Sequence, residues 1–331
     1  MNELLSLDAI RAAAGRIRGV ARLTPLLEAC ELPDCGSNQR PLLLKCENLQ
    51  VGGAFKLRGA YNMAVQLSDD RRRAGLLTFS SGNHGLAIAI TARMLGVPAL
   101  IVMPTNAPAV KVEGARALGA EVIFEGTTTV QRKARAEQEA ASRGMTIVPP
   151  FDHLDIAAGQ GTIGLEILEQ CPTVGTVYVQ MSGGGLISGI ATALKRSRPE
   201  IRVVGVEPVG ASRMTASLAA GKPVTIELTP GITDGLLAVR PGEVTFPHVQ
   251  AFVDRIVRID DGAVADAMRW LFRAAKIVAE PSGAITIAAA LADEANGKRD
   301  SARPVVAVIS GGNVEEKTYA RIVGTDAASR V

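Results

Sequence analysis

From Leu42 onward, short apolar runs alternate with stretches of helical spacing, and a glycine follows most of the helical stretches. Leu42 to Cys46, Leu76 to Phe79, Ala99 to Met103, Glu121 to Phe124 and Thr146 to Val148 have the length and composition of strands. Asn83 to Leu95, Ala109 to Leu118 and Val130 to Ser142 have helical spacing and are closed by Gly96, Gly119 and Gly144. Strands joined through helices need crossover connections, and crossovers build parallel sheets covered on both faces. Pro149-Pro150 interrupts the pattern and marks a domain boundary. Beyond it, Thr176 to Met181, Val203 to Val206 and Val305 to Ile309 read as buried strands. Gly161 to Leu168, Leu186 to Lys195, Val264 to Ile277 and Ile285 to Ala295 read as helices, and Thr229 to His248 as loop. Ahead of the alternation, Leu7, Ile10, Ala14 and Ile17 share one face of a first helix, followed by an extended Leu23-Thr24-Pro25-Leu26. The expectation is an α/β protein with open, mostly parallel sheets, and 331 residues suffice for about two domains.

Composition narrows the partners. With 36 basic and 33 acidic residues the net charge is +3, so no polyanionic partner is called for. Aromatic residues make up 3% of the chain, too few for a base-stacking platform. Neither nucleic acid nor membrane is an expected partner, since no apolar run approaches transmembrane length. Cys30, Cys35, Cys46 and Cys171 form no C-x-x-C pair and read as free thiols in a reducing compartment. The N-terminus has no signal-peptide layout, and a cytoplasmic location is expected.

The stretch Glu47 to Ala60 carries the first chemical signal. Lys56 lies where a strand passes through Gly52-Gly53 into a helix, beside Phe55. A lysine desolvated at such a turn is partly neutral, and the neutral amine is the form that attacks a carbonyl. On Lys56 alone, a surface lysine at a helix start is the better reading. Four further segments are rich in glycine and small hydroxyls: Ser80 to Gly85, Ser182 to Leu186, Glu280 to Ala284 and Ser310 to Asn313. In open α/β sheets, ligands bind beyond the carboxyl ends of the strands. Ser182-Gly183-Gly184-Gly185-Leu186 links a buried strand to a helix start, where exposed amides and the helix dipole suit a phosphate. Gly183, Gly185 and Gly189, with Glu207 ending the next strand, also approximate a dinucleotide fingerprint. By itself the loop suits either ligand.

Taken in order, the Lys56 motif, Ser80 to Gly85, Ser182 to Leu186 and Ser310 to Asn313 resemble the fold-type-II pyridoxal-phosphate enzymes. Ala158 to Thr162, Gly205-Val206-Glu207-Pro208 and Thr233-Asp234-Gly235-Leu236 make the chain similar to the threonine/serine dehydratase and serine racemase branch, from about Leu7 to Asn313. The resemblance implies a tryptophan synthase β-like fold with pyridoxal 5'-phosphate in the cleft between two domains. Residues 1–69 and 150–331 would form the large cofactor-binding domain, and 70–149 a small, mobile, substrate-closing domain. Lys56 would be the Schiff-base lysine and Phe55 would pack near the ring. Gly183, Gly184, Gly185 and Leu186 would hold the phosphate, Asn83 the ring hydroxyl, and Ser310 would face the ring nitrogen. Ser80, Ser81, Gly82, Asn83 and His84 would surround the carboxylate of a small amino-acid substrate. Glu280 would lie near the cofactor.

The implied reaction is β-elimination from L-threonine or L-serine, or alternatively from another 3-hydroxy amino acid, with Lys56 as the base. Ser81 is also compatible with racemisation, because serine racemases carry a proton-donating serine at the matching place. The resemblance implies a homodimer or homotetramer. The chain stops soon after Asn313, so no feedback through a C-terminal regulatory domain is expected. Two departures stand out. Ala54 replaces a serine common in relatives, and Arg213 stands where the branch's cation site has an acid, beside Glu207 and the Ala211 carbonyl. An arginine there opposes a divalent ion, and no metal is expected.

Overall fold

The computed structural model describes residues 4–29, 42–80, 82–107, 109–298 and 302–324. Cys30 and Cys35 lie outside them, as does Ser81. In chain order the elements are α1 (Leu7–Arg16), β1 (Leu26–Ala29), β2 (Leu42–Cys46), α2 (Lys56–Ala64), α3 (Asp69–Ala74), β3 (Leu76–Thr78), α4 (Asn83–Leu95), β4 (Ala99–Met103) and α5 (Ala109–Ala117). Next come β5 (Glu121–Phe124), α6 (Thr129–Arg143), β6 (Thr146–Ile147), α7 (Leu154–Gln170), β7 (Thr176–Gln180), α8 (Gly185–Ser197), β8 (Arg202–Pro208) and α9 (Arg213–Ala220). The chain continues through α10 (Phe246–Phe252), β9 (Arg255–Ile259), α11 (Asp261–Trp270), α12 (Pro281–Ala295), β10 (Val305–Ile309) and α13 (Glu316–Gly324).

The strands make two sheets. One has six strands in the order β1-β2-β10-β7-β8-β9, and the other has four in the order β5-β4-β3-β6. Every described pairing is parallel except β1 with β2. The central strands are buried on both faces, which is why they read as continuous apolar runs rather than alternating ones. Tyr178, Val204, Val206, Val305 and Ala307 pack toward α11 and α12, whereas Val177, Val179, Val203, Val306 and Val308 pack toward α7, α8 and α10. A separate core of Leu76, Ile88, Ile101 and Met103 sits under the four-stranded sheet. Among the described residues no helix is long and apolar enough to cross a membrane.

The elements depart from the sequence expectation in identifiable places. Helix α7 begins at Leu154, seven residues before the Gly161 start suggested by spacing. Its first turns are rich in alanine and glycine, and they cross other helices at main-chain distance. A methyl group on Gly159 would overlap Gly59 Cα of α2, and one on Gly189 of α8 would overlap the Ala157 carbonyl and Gly161 amide of α7. Helix α3 carries Asp69, Asp70 and the arginine run, paired as Arg72–Asp69 and Arg73–Asp70 on a solvated face. Strand β9 and helices α9 and α13 form where the sequence pattern named no element.

Candidate active site

The Lys56 turn is stitched to the carboxyl end of β10. Gly312 N donates to Gly53 O at 2.9 Å, Phe55 N donates to Ser310 O at 3.0 Å, and Ala54 and Gly311 form an isolated bridge. Glu280 N in turn donates to Gly311 O at 3.1 Å. Gly52 and Gly53 have φ of +79° and +73°, a conformation that L side chains resist, so the glycine pair makes this turn possible. Lys56 then opens α2, with its Nζ 5.1 Å from the Phe55 ring centre and donating to the Pro150 carbonyl at 2.6 Å. Burial holds the Lys56 pKa down to about 8, against the opposing pull of Glu280. A cation at a helix N-terminus is disfavoured as well.

The next residue after Pro150, Phe151, brings the glycine loop alongside. A methyl group on Gly183 would overlap the Phe151 ring, and one on Gly185 would press on the Phe151 main chain. Gly184 has φ of +103° and caps α8, whose first amides have no intrahelical acceptor. Thr245 Oγ1, fully buried, donates to Gly183 O at 2.5 Å, and Gly242 N donates to the same carbonyl at 3.1 Å. Both bonds turn the loop carbonyl away and leave the amides of Gly184, Gly185 and Leu186 as a donor set for an anion.

From the four-stranded sheet, α4 presents its N-terminus. Asn83 Nδ2 donates to Glu280 Oε1 at 2.8 Å, and Asn83 Oδ1 accepts from Asn313 Nδ2 at 2.9 Å. Gly82 caps this helix, and its amide lies 3.4 Å from Ser80 Oγ. His84 is buried with Nε2 2.9 Å from the Val148 carbonyl, so Nε2 carries the proton. Nδ1 is then a bare acceptor, buried and without a partner among the described residues. Burial and the nearby Lys56 amine push the His84 pKa down to about 3. The ring is neutral at any working pH. Burial, with Asp234 nearby, raises the Glu280 carboxyl to about 8.

Phe55, Lys56, Ser80, Gly82, Asn83, His84, the Gly183–Leu186 loop and Ser310 therefore converge around one cleft; Ser81 lies outside the described residues. Residues that motif spacing did not single out complete it: Phe151, Thr245 and Asn313. Only Asn313 left a trace in sequence, as the last residue of a glycine loop. Behind α2 lies a largely buried ion cluster. Arg58 pairs with Glu47 and Glu166, and Lys45 Nζ reaches Glu166 at 2.5 Å.

The residues fit pyridoxal phosphate. They offer a low-pKa amine for its carbonyl, an anion-binding helix start for its phosphate, and Asn83 and Ser310 as polar groups for its ring. The neighbourhood of Glu207 does not fit a divalent ion. Both Glu207 oxygens accept from α9, from Met214 N at 2.7 Å and from Thr215 N and Oγ1 at 3.0 and 2.8 Å. Arg213 is fully buried and donates to the Met181 and Leu236 carbonyls at 3.2 and 2.5 Å. Among the described residues, no group of three His, Cys, Asp or Glu side chains could hold a metal.

Comparison with known proteins agrees with this chemistry. The family model described as pyridoxal-phosphate dependent enzyme matches residues 17–311. A serine racemase of Oryza sativa is 42% identical over 313 residues, 93% of this chain and 91% of the relative. An L-threonine ammonia-lyase of Thermotoga maritima is 39% identical over 97% of this chain and 78% of its own length. Among solved structures, maize serine racemase superposes with a TM-score of 0.90 at 39% identity, covering 96% of this chain and 97% of that one. A threonine deaminase from T.th. superposes with a TM-score of 0.86 at 40% identity, covering 94% and 99%. The match spans most of the chain's length, and the chain belongs to the pyridoxal-phosphate dependent enzyme family.

Proposed function

We propose that the chain is a threonine/serine ammonia-lyase, converting L-threonine to 2-oxobutyrate and L-serine to pyruvate, each with release of ammonia. The observation that carries this reading is the desolvated Lys56 amine bonded to the Pro150 carbonyl, one residue before the Phe151 that packs on Gly183 and Gly185 at the start of α8. When bound, pyridoxal phosphate supplies an electron-withdrawing ring that stabilises negative charge at the substrate Cα.

The chain's residues do the remainder. Lys56 would hold the cofactor through its carbonyl group, and its amine is the base that would take the substrate Cα proton. A pKa near 8 suits a base working near neutral pH. The amides of Gly183 to Leu186 would hold the phosphate, Phe55 would flank the ring, Asn83 would bind the ring hydroxyl, and Ser310 would face the ring nitrogen. A serine there donates to an unprotonated nitrogen. A carboxylate there would favour the protonated ring, whereas Ser310 would bias the site toward loss of the β-hydroxyl. Ser80, Ser81, Gly82, Asn83 and His84 surround the substrate carboxylate at the start of α4, where main-chain amides and the helix dipole favour an anion. Residues 70–149 close over the substrate as a unit. The reading extends to a cytoplasmic homodimer or homotetramer, as the family resemblance implies.

Racemisation of serine is the second reading, favoured by the similarity to racemases from two plants. One experiment separates the two: L-serine is supplied to the holoenzyme, and pyruvate and D-serine are measured in the same reaction. Pyruvate in excess supports the lyase. D-serine with no 2-oxo acid from either serine or threonine would overturn it. A yellow holoenzyme bleached by borohydride, colourless in Lys56→Ala, tests the lysine assignment separately.

A further inference from the structure

Glu280 is a buried acid that the proposed reaction leaves without a task. It is 5% exposed, caps the start of α12 ahead of Pro281, and forms no ion pair within contact distance among the described residues. Its carboxyl group has three contacts. Its oxygen packs on Gly311 where any side chain would collide, the Asn313 main-chain amide donates to it, and Asn83 Nδ2 donates to Oε1 at 2.8 Å. The Asn83 contact crosses the cleft, because Asn83 opens a helix of the four-stranded sheet while Glu280 and Asn313 belong to the six-stranded one. Charged groups reach Glu280 from three other directions: Asp234 from the loop before α10, Lys111 from α5, and Lys56 from α2. Lys111 is itself drawn to Asp234, with Nζ 3.4 Å from Oδ2.

We propose that Glu280 is a positioning residue that orients the Asn83 amide toward the cofactor ring through this cross-cleft hydrogen bond. The inference rests on the cofactor reading above. Asn313 fixes Asn83 Oδ1 and Glu280 takes one Nδ2 hydrogen, so the second Nδ2 hydrogen is left in a fixed direction for the ring hydroxyl. A carboxylic acid accepts from Asn83 as a carboxylate does, without adding negative charge beside an electron-rich hydroxyl oxygen. The raised Glu280 pKa, about 8, keeps it in that neutral form at neutral pH. Above that pH the carboxylate repels the electron-rich ring oxygen.

The test measures the equilibrium dissociation constant of pyridoxal phosphate for the full chain from about pH 6.5 to 9.5, in wild type, Glu280→Gln and Glu280→Ala; one proton coupled to binding gives at most about tenfold per pH unit. Wild type should lose affinity above about pH 8. Glu280→Gln, which keeps the acceptor and cannot ionise, should bind within about threefold of wild type at neutral pH and lack the alkaline loss. Glu280→Ala should bind about tenfold or more weakly at every pH, and that penalty should vanish in an Asn83→Ala background. An alkaline loss unchanged in Glu280→Gln overturns the inference, as does a Glu280→Ala penalty that persists without Asn83. Wild type that takes up no pyridoxal phosphate at all overturns the cofactor reading, and the inference with it.

Discussion

Replacing Arg58 with methionine tests whether the buried ion cluster is what holds the lysine-bearing helix in place. The Arg58 guanidinium is fully buried and bridges Glu47 through Nε and Nη2 at 2.8 Å each, and Glu166 through Nη1 and Nη2 at 2.5 and 3.0 Å. It also donates to Thr162 Oγ1 and the Arg22 carbonyl at 3.1 Å each. Glu47 is 0% exposed and would be left with Thr24 Oγ1 at 2.5 Å and the more distant Lys45. Breaking a buried pair from one side costs about 3–5 kcal/mol. With an unfolding entropy of about 2.1 cal/mol/K per residue, 331 residues give about 0.7 kcal/mol/K, hence a Tm lower by about 4–7 °C. The pH dependence supplies a second check. In wild type, burial alone would raise the Glu47 carboxyl, but Arg58 more than compensates and leaves it below its ordinary value. Its contribution to stability is thus present above the unfolded pKa and lost as pH falls through the folded one. Without Arg58, burial prevails and the folded pKa rises above the unfolded one, so stability falls as pH rises between them, by up to about 1.4 kcal/mol per pH unit. Calorimetry of the apo protein should show a larger Tm loss at about pH 7.5 than at about pH 5. A loss equal at both, or under about 2 °C at neutral pH, would refute the reasoning.

Uptake of pyridoxal phosphate by the apo protein should accelerate with pH and level off above about 8, where Lys56 becomes neutral; stopped-flow absorbance would show it, and a plateau reached only near pH 10 would contradict the desolvated amine. Ser310→Asp should keep the cofactor and lose most 2-oxo acid formation, and unchanged turnover would count against the ring-nitrogen assignment. Activity should survive a chelator and fall at least tenfold in Arg213→Ala, whereas reversible loss on chelation would show a metal dependence that the Arg213 contacts oppose. Gly189→Ala should lower Tm by more than about 4 °C or abolish soluble expression, since its methyl group meets main chain rather than a movable side chain.

Much of the cleft was legible because its parts are short, glycine-marked and tied to strand ends. Strands β4, β5 and β10 and helix α4 fall on the residues that spacing predicts. Lys56 and the Ser182 loop sit where strand-to-helix turns were expected, and α2 starts at Lys56 itself. What escaped lacks a local signal. Phe151 matters through contact with glycines 32 or more residues away, and Thr245 through one carbonyl on the far side of a loop. The start of α7 was hidden because Ala157, Ala158, Gly159 and Gly161 carry almost no periodic hydrophobicity. The charges of Lys45, Glu47 and Arg58 look like surface in sequence, and only the fold brings the two signs together in the interior.

The bare crossings of α2, α7 and α8 have a metrological consequence. Lys56 stands at the head of α2 and the Gly184–Leu186 amides at the head of α8, and α7 touches both rods main chain to main chain. The span from the Lys56 amine to those amides is therefore gauged by peptide units, which do not change rotamer, rather than by side chains, which do. Substitutions on the outer layers can repack freely while that span keeps its length.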